Sequence, residues 1–153
     1  MRTYRVVTSQ HEPYYNQIGK DCITSFLEYW PENISIELWA EGFVPDIDNP
    51  RLIVKDFEKV RNDLDKFLEL IYPHVPHDPK GKDLFSRYKF SWIKGHVITA
   101  ALQECEQDVF IWLDSDVITN KKIPLEFIEN LLPEDTPFVD IRAGGEVKGK
   151  EAE

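Results

Sequence analysis

The chain has 153 residues, 42% hydrophobic and 30% charged, an ordinary globular composition with enough apolar material for one domain and its own core. Net charge is −10, shared as −5 on each side of the bond after Pro76, so there is no basic face for a sequence-independent grip on nucleic acid. The longest apolar run, Val109 to Leu113, is far too short to span a bilayer, and residues 1–15 lack the apolar stretch of a secretory signal. The two cysteines, Cys22 and Cys105, have no metal-ligand spacing and read as reduced, buried thiols of a cytoplasmic protein.

Tyr4 to Ser9 reads as a buried first strand, followed by a polar, aromatic loop from His11 to Gln17 with Pro13 as a breaker. From Ile18 the residues Cys22, Ile23, Phe26, Leu27 and Trp30 recur at helical spacing until Pro31. Ile34 to Glu41 alternates with period two and ends at Gly42, a second strand, and Leu52 to Val54 is a brief third. Phe57 to Tyr72 carries one apolar stripe and reads as a helix. Tyr72 to Lys82 is a connecting loop, and another helix runs from about Leu84 to Glu104. Val109 to Leu113 (VFIWL) is uninterrupted and apolar, as in a strand covered on both faces. Asp114 to Thr119 is the turn at its end, Leu125 to Leu132 a short helix after Pro124, and Phe138 to Ile141 one more strand. Residues 1–143 form a single domain in this reading, and 144–153 a polar tail that frays. The order of elements argues an α/β sandwich with a mainly parallel sheet.

In open α/β sheets ligands bind beyond the carboxyl ends of the strands. Asp114-Ser115-Asp116, directly after the apolar strand, is therefore the leading candidate site. Two carboxylates at i and i+2 cannot both be buried unpaired, and hard oxygen ligands at that spacing suit Mg²⁺ or Mn²⁺, which in turn neutralise a diphosphate. The bland alternative is a solvated turn in which Asp116 caps the next segment.

The stretch from Phe85 to Pro133, above all Phe110 to Val117 (FIWLDSDV), resembles the nucleotide-sugar half of GT-A-fold glycosyltransferases, especially short forms from tailed phages and bacteria. That resemblance implies a GT-A-like, Rossmann-like three-layer sandwich with a truncated acceptor half. It also implies that Asp116 ligates Mn²⁺ or Mg²⁺ on the donor diphosphate and that Asp114 meets the ribose or the metal. Thr8, Ser9 and Gln10 would line the uridine pocket, with Ser115 beside the donor and Glu41 on base or ribose. The implied function is a metal-dependent glycosyltransferase that transfers or slowly hydrolyses the sugar of a UDP-sugar, in the cytoplasm (the host's, if phage-encoded), as a homodimer with an unknown acceptor. Only 37 residues follow Asp116, so donor binding is better supported than transfer. Glu134, Asp135 and Asp140 are available as a base, but no spacing selects one, and the catalytic residue stays unknown.

Residues 80–94 carry local charge +4. On a helical wheel Lys89 and His96 share a face with Phe85, Trp92 and Ala100, and Lys94 points away. Lys89 is thus the candidate partner for a diphosphate, or else for a sheet carboxylate such as Glu41 or Asp114. Arg87 and Lys94 read as solvated charges, His96 as a hydrogen-bonded core histidine, and Trp39 and Trp112 as core. Tyr14 and Tyr15 either stack on a base or anchor their loop, and His11 is an exposed polar residue of the same loop. Two rival functions remain: a non-catalytic nucleotide-sugar binding module, and a phosphohydrolase of haloacid-dehalogenase type with Asp114 as nucleophile and Asp116 as acid/base.

Overall fold

The structure, a computed structural model, describes residues 2–75 and 84–132, with the side chains of all of these except 84–88. Four strands, β1 (Tyr4–His11), β2 (Ile36–Glu41), β3 (Leu52–Asp56) and β4 (Val109–Trp112), form one sheet in the order β3-β2-β1-β4. Every pairing is parallel. The helices are α1 (Glu12–Tyr14), α2 (Lys20–Tyr29), α3 (Glu58–Ile71), α4 (Leu84–Gln103) and α5 (Leu125–Leu131). The chain steps outward from β1 to β3, then returns past β1 to lay down β4 on its other side.

Alternation along β1 sorts the core into two layers. Val6 faces Ile23 and Phe26 of α2 together with Ile36, Leu113 and Ile128 of α5. Val7 faces the opposite way, onto Trp39, Val60 and Leu64 of α3, and Val97 and Ala101 of α4. Helices therefore cover both faces of an all-parallel sheet, which is why β2 is buried from Ile36 to Ala40, Glu37 included. Burying a side chain such as Phe26 or Trp39, both 0% exposed, contributes roughly 1.5–3 kcal/mol each. Arg51 ties the layers at one end, donating to the carbonyls of Leu27, Trp30 and Pro31 where α2 runs out of its own donors, and to Ile34 O.

One element departs from expectation. The loop from His11 to Gln17 is helical: α1 follows β1 without a gap, passes into a π-helical turn at Tyr15–Gly19, and runs on as α2. Pro13 starts this helix rather than breaking it, because a first-turn residue has no helical acceptor for an N–H. Gly19 lies so close to β1 that a Cβ there would sit 2.1 Å from Gln10 Oε1. The expected strand at Phe138–Ile141, the tail 144–153 and the candidate bases Glu134, Asp135 and Asp140 lie outside the described residues. No helix among the described residues is long and apolar enough to cross a membrane.

Candidate functional site

The chain runs outward from β1 to β3 and then returns past β1 to β4, so the strand order reverses at the β1–β4 boundary, and a crevice opens there at the carboxyl ends of the strands. A cavity of ≈ 420 Å³ fills that crevice. His11 and Tyr14 form one wall, their rings stacked 5.9 Å apart at 13°. The Phe90 ring of α4 lies 6.1 Å from that of His11, and Lys94, Trp112, Asp114, Ser115 and Asp116 also line the cavity. A larger cavity of ≈ 670 Å³ lies between α3 and α4, away from the strand ends and from the carboxylate pair.

The Asp114–Asp116 turn is held from both sides. Beneath it, Cys22 Sγ of α2 lies 3.7 Å from Asp114 O, Ser25 Oγ accepts from Thr119 N at 3.0 Å, and Trp30 Nε1 donates to Thr119 Oγ1 at 3.0 Å. Burial, and next the charge of Asp116, pushes the Cys22 thiol up to about 12, so it is a packing group under the turn. Above the turn, Asp114 Oδ1 accepts from both Lys94 Nζ and Trp112 Nε1, each at 2.6 Å. Partial burial works to raise the Asp114 carboxyl, yet the hydrogen bonds from Lys94 and Trp112 and the lysine's charge prevail and hold it below its ordinary value. Asp116 is exposed and makes no hydrogen bond or ion pair with any described residue.

Most of the residues singled out from the sequence meet here, and some do not. Ser9, Gln10, Tyr14, Glu41, Asp114, Ser115 and Asp116 all line the cavity. Gln10 does so with its carboxamide turned away, Nε2 donating to Gly19 O at 3.3 Å. Glu41 accepts from Arg61 at 3.0 Å. Thr8 is fully buried in the sheet and does not reach the cavity. Tyr14 and Tyr15 point to different surroundings. Tyr14 borders the cavity, its phenol pushed up by burial and then by the charge of Asp116. Tyr15 is an anchor, 3% exposed and donating to Asp46 Oδ1 at 2.8 Å.

The two lysines exchange places relative to expectation. Lys89 is exposed and does not line the cavity, whereas Lys94 lines it and pairs with Asp114. The reason is the choice of inward stripe. Phe90, Lys94, Val97 and Ala101 succeed one another at helical intervals of three and four, and Val97 and Ala101 are the fully buried residues among the described side chains of α4. The stripe through Trp92 and His96 instead meets α3, where both rings pack on Phe67 at 5.8 and 5.0 Å, and His96 Nδ1 lies 2.9 Å from Trp92 O as a core histidine would. Trp112, expected in the core, is half-buried and supplies a donor to the site. Its signal was available in the sequence: it lies two residues before Asp114 and so on the same face of the strand.

Among the described residues no group of three or more His, Cys, Asp or Glu side chains is arranged to hold a metal. Two carboxylates, one already bound to an ammonium, do not make a cage for a resident ion. They do suit Mg²⁺ or Mn²⁺ arriving with phosphate oxygens, since such ions keep one or two carboxylates and take their other ligands from substrate and water. Compared with protein-family models, with curated proteins and with solved structures, the chain matches none of them.

Proposed function

We propose that the chain binds a nucleoside diphosphate sugar, most simply a UDP-sugar, at the carboxyl edge of its sheet and acts on it as a metal-dependent glycosyltransferase of GT-A type. The observation that supports this most is the Asp114–Asp116 pair at the end of β4, opening onto an aromatic-walled cavity between β1 and β4. The volume is that of a small-molecule site, with apolar rings for a base and a few placed polar groups for orientation. Tyr14 and His11 offer flat faces for the base, and Ser9 and Glu41 offer polar contacts to it or to the ribose. Asp116, exposed and unpaired among the described residues, is placed to receive the cation of the donor, and Lys94 brings positive charge to the same cavity. A divalent ion bound there would neutralise the diphosphate as the glycosidic bond breaks. The surrounding side chains hold the donor so that this charge develops against fixed partners rather than water.

Calorimetric titration of UDP and UDP-glucose, each with and without Mn²⁺, tests the reading on wild type and Asp116→Ala. Manganese-dependent binding that the substitution abolishes is the expected result, and absence of binding in every condition would sink it. Binding with no release of UDP from the sugar would assign a binding module instead of an enzyme. A phosphohydrolase is the second reading, favoured by one contact: a lysine beside the first carboxylate could stabilise a phosphoryl group carried by Asp114. Turnover of p-nitrophenyl phosphate lost in Asp114→Asn would select it.

A further inference from the structure

The first aspartate of the pair already has a cation. We infer that Lys94 holds on Asp114 the position that a divalent ion would take, so that ion and ammonium exclude one another and cation uptake releases Lys94 to the anionic ligand. This rests on the reading of Asp114 and Asp116 as the carboxylates that receive the ion. Asp114 Oδ1 accepts two donors at 2.6 Å, Lys94 Nζ and Trp112 Nε1, on a side chain 56% exposed. A metal–oxygen bond of about 2.0–2.2 Å to that atom would leave two positive centres within a few ångströms of each other. The lysine therefore moves when the ion takes Oδ1.

The geometry allows it to move at little cost. The Lys94 side chain is 40% exposed, so its ion pair is a partly solvated one of modest strength. In that same position its ammonium lies 5.2 Å from the centroid of the Trp112 ring, a neighbour whose face also favours a cation. Lys94 lines the cavity, so an ammonium released from Asp114 stays beside any diphosphate bound there. Ion and anionic ligand then bind cooperatively, because each removes a cost from the other: the ion frees the lysine, and the anion accepts it. Free metal would bind poorly, and metal with diphosphate well.

The test is the affinity for Mn²⁺ alone, read by electron paramagnetic resonance of the free ion, for wild type, Lys94→Met, Lys94→Arg and Asp116→Ala. Methionine keeps the stem over Trp112 and removes the charge. Lys94→Met is expected to bind Mn²⁺ about fivefold more tightly than wild type, the worth of one partly solvated ion pair. Lys94→Arg should resemble wild type, and Asp116→Ala should lose the ion. If circular dichroism shows Lys94→Met to be unfolded, Lys94→Gln takes its place in the comparison. Mn²⁺ affinity unchanged or weakened by removal of the charge, or no Mn²⁺ bound by any variant, overturns the inference. Adding UDP separates it from the functional reading: tighter Mn²⁺ binding in Lys94→Met with no UDP binding in any variant keeps the lysine exchange and discards the nucleotide.

Discussion

The same trio of groups occurs twice on one face of the sheet, once sealed and once open. In the sealed copy Glu37 of β2 accepts from Arg5 at 2.9 Å and from Trp39 Nε1 at 2.6 Å, with the two charged side chains 11% and 6% exposed. In the open copy Asp114 accepts from Lys94 and from Trp112 Nε1, with the charged side chains 40% and 56% exposed. Each pairs a carboxylate with a cation and with an indole two residues away along the strand. The difference lies in position and in the cation. Glu37 sits in a central strand flanked by β1 and β3, where a planar guanidinium makes two hydrogen bonds to it. Asp114 sits just past a strand end at the mouth of a cavity, where a flexible ammonium makes one. A buried pair holds a fold in place because neither charge can leave. A half-solvated pair can trade partners, which is what a binding site needs.

The largest expected contrast comes from breaking the sealed copy. Among the described residues Glu37→Ala leaves Arg5 with only the carbonyl and the more distant carboxylate of Glu104 and takes from the Trp39 indole its acceptor, and should cost about 3 kcal/mol in urea denaturation. Lys94→Met should cost under about 1 kcal/mol in the same measurement, despite its effect on metal affinity. A cost for Lys94→Met as large as that of Glu37→Ala would show that the open pair is structural too.

Acid sharpens the comparison further. The folded Asp114 carboxyl lies below its ordinary 3.8, so its contribution is present above that value and lost as pH falls through the lower, folded one. Other carboxylates with lowered values, Asp46 and Asp108 among them, lose stability in the same direction. The part that belongs to Asp114 is the difference between wild type and Lys94→Met, which should shrink as the medium is acidified below pH 4. The smallest perturbation is chemical labelling. Cys105, partly exposed, should react with a maleimide in the native state, and Cys22 only on unfolding, since the Asp114 turn covers it and burial keeps its thiol protonated. Native reactivity of Cys22 would mean that the turn opens.

Much of this protein could be read along the chain. Local periodicity is enough to place a strand at Ile36–Glu41 or a helix at Glu58–Ile71, because one neighbour layer repeats along each element. The strand ending in Asp114-Ser115-Asp116 was legible for the same reason, an apolar run meeting two charges that need water or a partner. The helix through Glu12 and Pro13 was not, since proline has opposite meanings at the first turn and in the interior, and only the position of the preceding strand end decides between them. Nor was the facing of α4. It carries apolar residues on two stripes, one toward the sheet and one toward α3, so its sequence offers two equal answers to the question of which lysine turns inward.

The sequence by itself determined the class of fold, an α/β sandwich on a parallel sheet, and the place of the carboxylate pair at a strand end, because both follow from patterns a few residues long. Only the tertiary structure decided that β4 lies beside β1, that Lys94 rather than Lys89 meets Asp114, and that Trp112 packs at the edge of the core while bordering a cavity. Those facts depend on which surfaces of distant segments come into contact, and contact between residues twenty to a hundred positions apart is settled by packing the whole domain at once.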